Sequence, residues 1–590
     1  MTSAASKPET RIQGIGVSPG ISWGLVEILS TALEEPEEAS IERSEVESEI
    51  NRLSLALVAT REQISELQKE IISEDAENSA AIFDAHLLLL EDATVLKEVQ
   101  KITESELKTI DWAYFSVVKR YIDSLRKIAD PYLRERAVDI EDVAKRVLGN
   151  LRRTTHGAVP GQLNAQTNIV LSHDLTPSDT VSMDRSKVRG FATEAGSQTS
   201  HTAIMARSLN IAAVVAIHKI PEGCSTGDTA IVDGHHGLVI LNPSPETLAD
   251  YKALAEKEKL VVSGLDNIKD APTETSDGVT ITLSANIEFL QELSSVADQG
   301  AEGIGLYRTE FFYLSNQELR SEENQTANYR EVAEATAPHG VIIRTLDIGG
   351  DKMCPELYTV PEPNPFLGWR GIRLSLDRPA DFRIQLRSIL KASAVGKVRV
   401  MFPFISTLEE VQRSKQHLEA AKTELRDQGI PFDEEIEVGA MIEIPSAVMI
   451  ADHIAREVDF LSIGTNDLIQ YTTAVDRVND RVAGLYQPTH PAVIALIRET
   501  VEAAHRNNIW CGICGEAASD LRMTPIWVGL GVDELSVGSA QLLKIRHAIS
   551  KLDSESCGKL VEELRAHGTA GEIERHCINF AKEFYPEFLI

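Results

Sequence analysis

The carboxyl-terminal half of the chain alternates short apolar runs with longer amphipathic stretches. From residue 273 onward, eight apolar runs have the length and composition of strands, and helical patterns separate them. The predicted strands are Thr280–Ala285, Gly303–Tyr307, Val341–Leu346, Val398–Phe404, Val438–Ile442, Phe460–Gly464, Trp510–Cys514 and Glu534–Val537. Eight strand–helix units over about 300 residues are typical of a closed (β/α)8 TIM-type barrel, although an open doubly wound sheet would give a similar alternation.

The amino-terminal half has a different pattern. Residues 36–155 are rich in Glu, Leu, Lys and Ala with apolar positions at helical spacing, which predicts three or four long helices. Short apolar runs with glycine turns lie on both sides, at 12–35 and 156–243. We therefore expect one α/β domain that is built from both flanks and interrupted by an all-α insertion. Residues 244–272 are predicted to form a linker helix and 273–590 the barrel.

Composition narrows the class of protein. Of the 590 residues 43% are hydrophobic, enough for several buried cores, and no run approaches the roughly 18 apolar residues of a membrane span. The net charge of −32 argues against a nucleic-acid partner, since such proteins usually carry a basic stripe. Six cysteines are too few for a disulfide framework, and the polar N-terminus lacks a signal-peptide core. We expect a soluble, cytoplasmic protein with no membrane partner.

Arginines follow the predicted barrel strands at their carboxyl ends. Arg308 follows the second strand, Arg344 lies in the third and Arg477 comes shortly after the sixth. Active sites of such barrels lie at this end. Several converging arginines suit a small, highly charged anion because guanidinium groups match phosphate and carboxylate oxygens. For each arginine taken singly, a surface ion pair is the alternative.

Two carboxylates and a thiol follow the same pattern. Glu443 ends the fifth strand and Asp467 the sixth, so their side chains can approach each other and, with waters and a substrate phosphate, bind Mg²⁺. Ion pairs with neighbouring arginines are the alternative. Cys514 ends the seventh strand, where a protonated thiol could donate a proton. Cys511 lies three residues earlier, so it points to the opposite face and shares no metal with Cys514.

His201 belongs to a second candidate site, far from the barrel strands in the sequence. A polar loop from Gly196 leads into an amphipathic helix, and His201 is predicted to lie in its first turn. Free backbone N–H groups there favour an anion and disfavour imidazolium, which keeps the ring nucleophilic. A lone histidine is more often structural, so this pattern alone leaves the question open.

Long motifs in order along the chain resemble one known family. They are TSHTAIMARSL, GIGLYRTEFFY, RTLDIGGDK, NPFLGWRGIR, MIEIPSA, SIGTNDLIQYTTAVDR and CGICGE. Together they are similar to Enzyme I of the phosphoenolpyruvate-dependent sugar phosphotransferase system, from IQGIGVSPGI at residue 12 onward. The resemblance implies a swivelling phosphohistidine domain, an inserted helical domain that docks the phosphocarrier protein HPr, and a phosphoenolpyruvate-binding barrel that forms a homodimer.

The resemblance also implies roles for individual residues. His201 corresponds to the phosphorylated histidine and Cys514 to the general acid that protonates the enolate carbon. Glu443 and Asp467 correspond to the Mg²⁺ ligands, and Phe83, His86, Leu87 and Leu88 lie in a segment similar to the HPr-docking one. The positions matching substrate contacts are Arg308, Arg344, Asn466, Asp467 and Arg477, joined with less certain roles by Lys352, Arg370 and Arg373.

Ser197 and Gln198 depart from the family pattern, where the loop before the histidine usually reads Gly-Gly-Arg-Thr-Ser-His. A missing arginine there puts the rate or equilibrium of phosphorylation in question more than the reaction. The alternatives are a nitrogen-branch paralogue, expected to carry an extra sensory domain, and a non-enzymatic regulator that senses phosphoenolpyruvate. A pyruvate phosphate dikinase would need a large nucleotide-binding domain before the first strand.

Overall fold

The computed structural model describes most of the chain. The described residues are 7–18, 20–29, 35–36, 38–73, 90, 93–126, 140–141, 143–151, 167–173, 175, 188–196, 206, 211–217, 219–221, 223–290, 292–310, 320–350, 362–477, 479 and 481–589. The chain divides into two compact units, residues 1–256 and 257–590. Several predicted residues lie outside the described ones, namely Phe83, His86, Leu87, Leu88, Ser197, Gln198, His201 and Lys352.

The first unit contains an eight-stranded mixed sheet. Its strands are β1 (Thr10–Gln13), β2 (Ile15–Ser18), β3 (Ile21–Leu29), β4 (Thr167–Ser172), β5 (Gly190–Thr193), β6 (Ala212–Val215), β7 (Thr229–Asp233) and β8 (Leu238–Leu241). They are ordered β1-β8-β7-β3-β4-β5-β6-β2. Strands from before and after the helical stretch therefore pair within one sheet, which confirms the expected interrupted α/β architecture. The first strand begins at Thr10, two residues before the predicted start at residue 12.

Among the described residues between β3 and β4, long helices lie at Val46–Ser73, Ala93–Glu106 and Ile110–Arg126, and residues 143–151 are also helical. Their apolar positions meet in one core, with Leu53 from the first helix, Val99 from the second and Val117 from the third. The spacing of these residues by helical turns explains why the segment folds as a bundle. A further helix, Pro245–Leu265, follows β8 and runs into the second unit.

The second unit is a closed barrel of eight parallel strands. They are β9 (Thr282–Ile287), β10 (Ile304–Arg308), β11 (Val341–Arg344), β12 (Val398–Phe402), β13 (Val438–Ile442), β14 (Phe460–Ile463), β15 (Trp510–Ile513) and β16 (Glu534–Val537). Each strand pairs with its sequence neighbours, and β16 closes on β9. All eight predicted strands are present. The first starts at Thr282 instead of Thr280, because Thr280 forms a separate antiparallel bridge with Glu274.

Helices surround the barrel and bury its outer face. They are Glu292–Asp298, Glu322–Ala335, Ile372–Asp377, Pro379–Ala392, Leu408–Asp427, Pro445–Met449, Ala451–Ala455, Thr465–Thr473, Pro491–Arg506, Thr524–Gly529, Leu542–Lys551, Ser554–Leu564 and Ala570–Phe584. One large core joins these helices to the outward residues of the strands. Within the described part of the chain, no helix has the length and apolar character needed to cross a membrane.

Candidate active site

Two arginines stand side by side at the carboxyl end of the barrel. The register of β10 and β11 pairs Arg308 with Arg344 directly. Arg308 donates from Nη1 to Glu288, while Arg344 donates from Nη2 to Glu310 and has its Nη1 3.2 Å from the Asp347 carboxylate. Each guanidinium is thus oriented by a carboxylate of the barrel, which reduces the freedom lost when an anion binds.

Arg370 is completely buried between two aspartates. Its Nε and Nη2 donate to the Asp347 oxygens at 3.1 Å. Its Nη1 and Nη2 donate to Asp467 at 2.9 and 3.0 Å, and Nη1 also reaches the Tyr471 hydroxyl at 3.3 Å. The guanidinium packs over the ring of Phe404, 4.8 Å from its centroid. An arginine has five N–H groups, and these contacts occupy all of them.

A glycine makes this arrangement possible. Gly371 has φ +57°, in the left-handed region that side chains disfavour. A Cβ there would also come within 2.7 Å of the Phe404 Cβ and 3.2 Å of Asp347 Oδ1. The chain can therefore turn sharply after Arg370 and keep the guanidinium between its two partners.

Glu443 and Asp467 have opposite protonation tendencies. Burial, reinforced by the charges of Asp467 and Asp347, raises the pKa of Glu443 to about 8. Burial also opposes ionisation of Asp467, but Arg370 and Arg477 outweigh it and hold the pKa of that carboxyl below its usual value. The Glu443 Oε1 accepts the backbone N–H of Phe404 at 2.7 Å. The two carboxylates are therefore near neighbours whose charges repel, a situation that a cation relieves.

Asn466 and Arg477 complete the part of the mouth after β14. The Asn466 Oδ1 accepts the backbone N–H of Glu516 at 2.9 Å, which fixes the direction of its amide nitrogen. Arg477 has its Nη1 3.9 Å from Asp467, and Gln470 accepts its backbone N–H at 3.2 Å. A chain of ion pairs consequently runs from Glu310 through the arginines to Arg477.

Cys514 lies inside the barrel mouth and is almost fully buried. Burial raises the pKa of its thiol to about 11, despite hydrogen bonding from Ser462 and the nearby charge of Arg344. A raised pKa favours the protonated thiol at neutral pH. Cys511 packs in the outer core and Cys514 in the inner one, with Leu306, Met401 and Phe460. The two thiols thus lie on opposite faces of β15.

The residues present fit a magnesium ion. Among the described residues, no group of three or more His, Cys, Asp and Glu side chains is placed to hold a metal. Mg²⁺, however, typically takes one or two protein carboxylates and completes its shell with waters and substrate phosphates. Gly464 has no side chain and so leaves space beside the Glu443 carboxylate. A Cβ at that position would lie 2.6 Å from Glu443 Oε2. Glu443 and Asp467 supply the hard oxygen donors that this ion prefers.

The structure brings together all the predicted barrel residues that it describes. It also adds three that the sequence analysis passed over: Glu288, Phe404 and Asn286. Glu288 comes directly after β9, so the rule applied to the other strand ends would have found it. The position of Phe404 under Arg370 and Arg373 follows from packing, for which the sequence carries no local signal.

Models of three domains of PEP-utilising enzymes match the chain. The PEP-binding domain matches residues 262–554, the N-terminal domain residues 13–136 and the mobile domain residues 164–237. The match to the PEP-binding domain includes all eight barrel strands, whose carboxyl ends gather the arginines and carboxylates. The class that fold and site define is therefore that of the phosphoenolpyruvate-utilising enzymes.

Individual relatives identify the family within this class to which the chain belongs. A phosphoenolpyruvate-protein phosphotransferase of Geobacillus stearothermophilus is 42% identical over 579 residues, 98% of each chain. That of Bacillus sp. (strain S) is 41% identical with the same coverage. A solution structure of an Enzyme I (nEIt) protein is 36% identical, covers 42% of this chain and 99% of its own, and has a TM-score of 0.34. The chain belongs to the phosphoenolpyruvate-protein phosphotransferase family, as its motifs predicted.

Proposed function

We propose that the protein transfers the phosphoryl group of phosphoenolpyruvate to its own His201 and then to the histidine of HPr, releasing pyruvate. The observation that carries this proposal is the pair Arg308 and Arg344, held by carboxylates at the barrel mouth beside a buried, protonated thiol. An oriented pair of cations suits a phosphate, and a neutral acid nearby suits the protonation of the enolate that remains.

In this proposal the substrate phosphate lies across Arg308, Arg344 and Arg477, and its carboxylate lies near Asn466. Transfer of a phosphoryl group depends mainly on positioning and on stabilising the charge of its oxygens. Arg308 and Arg344 meet both needs because they are adjacent and their approach is fixed. Lys352 remains a predicted contact from the motif match.

Arg370 takes a different part from the other arginines. Since its N–H groups are all engaged inside the protein, we assign it to holding Asp347 and Asp467 in place rather than to holding substrate directly. Burying two aspartates without such a partner would cost several kcal/mol. It is thus a positioning residue of the site.

The proposed cofactor is Mg²⁺, held by Glu443 and Asp467. When bound, it would supply positive charge that offsets the charge of the phosphoryl oxygens. Glu443 must lose its proton to ligate, and burial, together with the charges of Asp467 and Asp347, opposes that loss by raising its pKa. A bound cation would offset the repulsion between these carboxylates, which supports a cation at this place.

Both partner surfaces are proposed from the motif match. The proposed HPr-docking residues are Phe83, His86, Leu87 and Leu88. On the same match, we propose a cytoplasmic homodimer formed through the barrel.

Incubation with phosphoenolpyruvate labelled in its phosphate, together with Mg²⁺, tests the proposal. The expected result is an acid-labile, base-stable label on the protein that passes to HPr. His201→Ala should abolish the label, whereas His173→Ala, which removes an exposed histidine paired with Glu194, should keep it. An unlabelled wild-type protein would overturn the proposal. A label that passes only to another carrier protein would overturn the assignment of HPr.

A further inference from the structure

Polar residues line the inner face of the barrel where it closes. Along β9 and β16 the inward positions are Ser284, Asn286, Glu534 and Ser536, while the intervening residues join the outer core. Inner positions of such barrels are usually filled by bulky branched side chains. Polar side chains at these positions lose the apolar packing that branched side chains would make, which indicates that they have a specific role.

The side chain of Asn286 links three strands. Its Nδ2 donates to the backbone oxygen of Cys514 at 3.2 Å and to that of Ser536 at 3.1 Å. Its Oδ1 accepts the hydroxyl of Ser536 at 2.7 Å. Asn286, in β9, is therefore bonded to Ser536 in β16 and to Cys514, the residue that follows β15. The amide group is nearly saturated by these bonds, which fixes its orientation.

Cys514 lies just where strand pairing stops. The ladder between β15 and β16 pairs Gly512 with Glu534 and Ile513 with Leu535. The carbonyl of Cys514 is thus beyond this ladder, and the amide of Asn286 supplies it with a hydrogen bond. A backbone carbonyl buried without such a bond would destabilise the conformation.

The other atoms of Cys514 are held on the opposite side. Its backbone N–H donates to the oxygen of Ile463 at 3.1 Å, and its Sγ lies 3.6 Å from the same oxygen. The next residue, Gly515, abuts Thr465 so closely that a Cβ would lie 1.9 Å from the Thr465 hydroxyl. Asn286 thus completes a set of contacts around the Cys514 peptide, and rotation of that peptide would swing the thiol.

We propose that Asn286, oriented by Ser536, is a positioning residue that aims the Cys514 thiol at the carbon it protonates. This inference rests on the proposed function. When the phosphoryl group leaves, the electron pair of the enolate forms a C–H bond with the thiol proton, and the ketone of pyruvate forms. The S–H bond breaks, and the thiolate regains a proton from water. In reverse, the thiolate removes a proton from the methyl group of pyruvate.

Two measurements on the full-length chain distinguish positioning of the Cys514 thiol from a general contribution to the stability of the fold. The first is single-turnover labelling of the protein by phosphoenolpyruvate, which needs phosphoryl transfer alone because released enol can ketonise in water. The second is exchange of labelled pyruvate into phosphoenolpyruvate, which also needs proton removal by Cys514. A group that only stabilises the fold would affect both measurements together.

The test variant is Asn286→Asp, which is nearly isosteric but loses both N–H donors. We expect pyruvate exchange to fall about 10–100-fold, the usual effect of misplacing a reacting group by about an ångström. Single-turnover labelling should stay close to wild type. Exchange should recover partly at lower pH, where a neutral Asp can donate one hydrogen bond. Ser536→Ala should reduce exchange in the same direction but less, because it leaves the donors of Asn286 in place.

Ser284→Ala is the matched control. It removes a hydroxyl from the same face of β9, where Ser284 donates to Glu534 at 2.6 Å, without touching the Cys514 peptide. Equal effects of Ser284→Ala and Asn286→Asp on exchange would overturn the inference, as would a parallel fall in labelling and exchange. Failure of the wild type to become labelled would instead refute the proposed function.

Discussion

The barrel mouth has two sides that hold their polar groups differently. On β10, β11, β13 and β14 the groups are charged, and Arg308, Arg344 and Arg370 each contact at least one carboxylate. Around β15, β16 and β9 the group that holds the Cys514 carbonyl is a neutral amide, that of Asn286, and Ser536 orients this amide through a hydrogen bond. We call these the charged side and the neutral side.

The difference between them fits the two halves of the proposed reaction. A phosphoryl group carries its charge throughout transfer, so fixed cations favour it. A proton donor must remain uncharged until it acts, and at Cys514 burial outweighs the opposing charges of Arg344 and Arg308 and keeps the thiol protonated. If this division is correct, variants on the charged side should impair phosphoryl transfer, and variants on the neutral side should impair proton transfer.

The largest expected effect is that of Arg344→Gln on the charged side. It removes a guanidinium from the place proposed for the substrate phosphate, and we expect single-turnover labelling to slow by about 10³-fold. Labelling kinetics with radioactive phosphoenolpyruvate measure this. The control Arg383→Gln alters a half-exposed arginine paired with Glu424 and should leave the rate unchanged. Labelling at near the wild-type rate in Arg344→Gln would remove Arg344 from the phosphate site.

Replacing Arg370 with Met should destabilise the barrel by roughly 3–5 kcal/mol in EDTA, because Asp347 and Asp467 would lose their shared partner while buried. Urea unfolding followed by tryptophan fluorescence measures the change, and added Mg²⁺ should recover part of it. Arg506→Met, which breaks exposed pairs with Asp452 and Glu499, should leave the free energy of unfolding close to that of the wild type. Equal losses in the two variants would contradict the buried role of Arg370.

The neutral side makes a prediction about pH. Burial raises the pKa of Cys514 to about 11, so the folded protein keeps this proton to higher pH than the unfolded chain does. The stability that this group contributes is complete below the unfolded pKa of about 8.5 and is lost as the pH rises towards the folded value. Alkylation of Cys514, followed by peptide mapping, should keep accelerating between pH 8 and 10. A plateau near the ordinary thiol pKa would refute the raised value.

The smallest expected effect is that of Glu288→Gln, at the partly exposed edge where β9 meets the charged side. Its pair with Arg308 is about a quarter exposed on each side chain, and such pairs contribute about 1 kcal/mol or less. We expect a modest rise in KM for phosphoenolpyruvate and an unchanged kcat, measured in steady-state transfer to HPr. A loss of activity as large as that of Arg344→Gln would show that the partly exposed Glu288–Arg308 pair matters as much for the reaction as the buried Arg344.

The sequence predicted the charged side better than the neutral side. Residues of the charged side lie at or shortly after the carboxyl ends of strands, as Arg308, Arg344, Glu443 and Asp467 do. Identifying the strands and applying the rule for barrel active sites was therefore sufficient to place them. The double pairing of Arg370 was not accessible, because it depends on the turn at Gly371 and on packing against Phe404.

Asn286 was hidden for a related reason. It lies inside a strand rather than after one, and its partner Cys514 is more than two hundred residues away in the sequence. Only closure of the barrel, with β16 between β15 and β9, brings the two within hydrogen-bonding distance. Short-range patterns report which face a residue occupies, but not which distant strand shares that face.

The opposite orientations of Cys511 and Cys514 protect the proposed proton donor, Cys514, from one form of oxidative inactivation. A disulfide needs Cβ atoms about 4 Å apart and directed towards each other. Side chains on the two faces of β15 do not satisfy this, because one thiol lies in the outer core and the other in the inner core. Although its two cysteines have the CxxC spacing, the motif therefore cannot act as a thiol–disulfide switch while the barrel is folded.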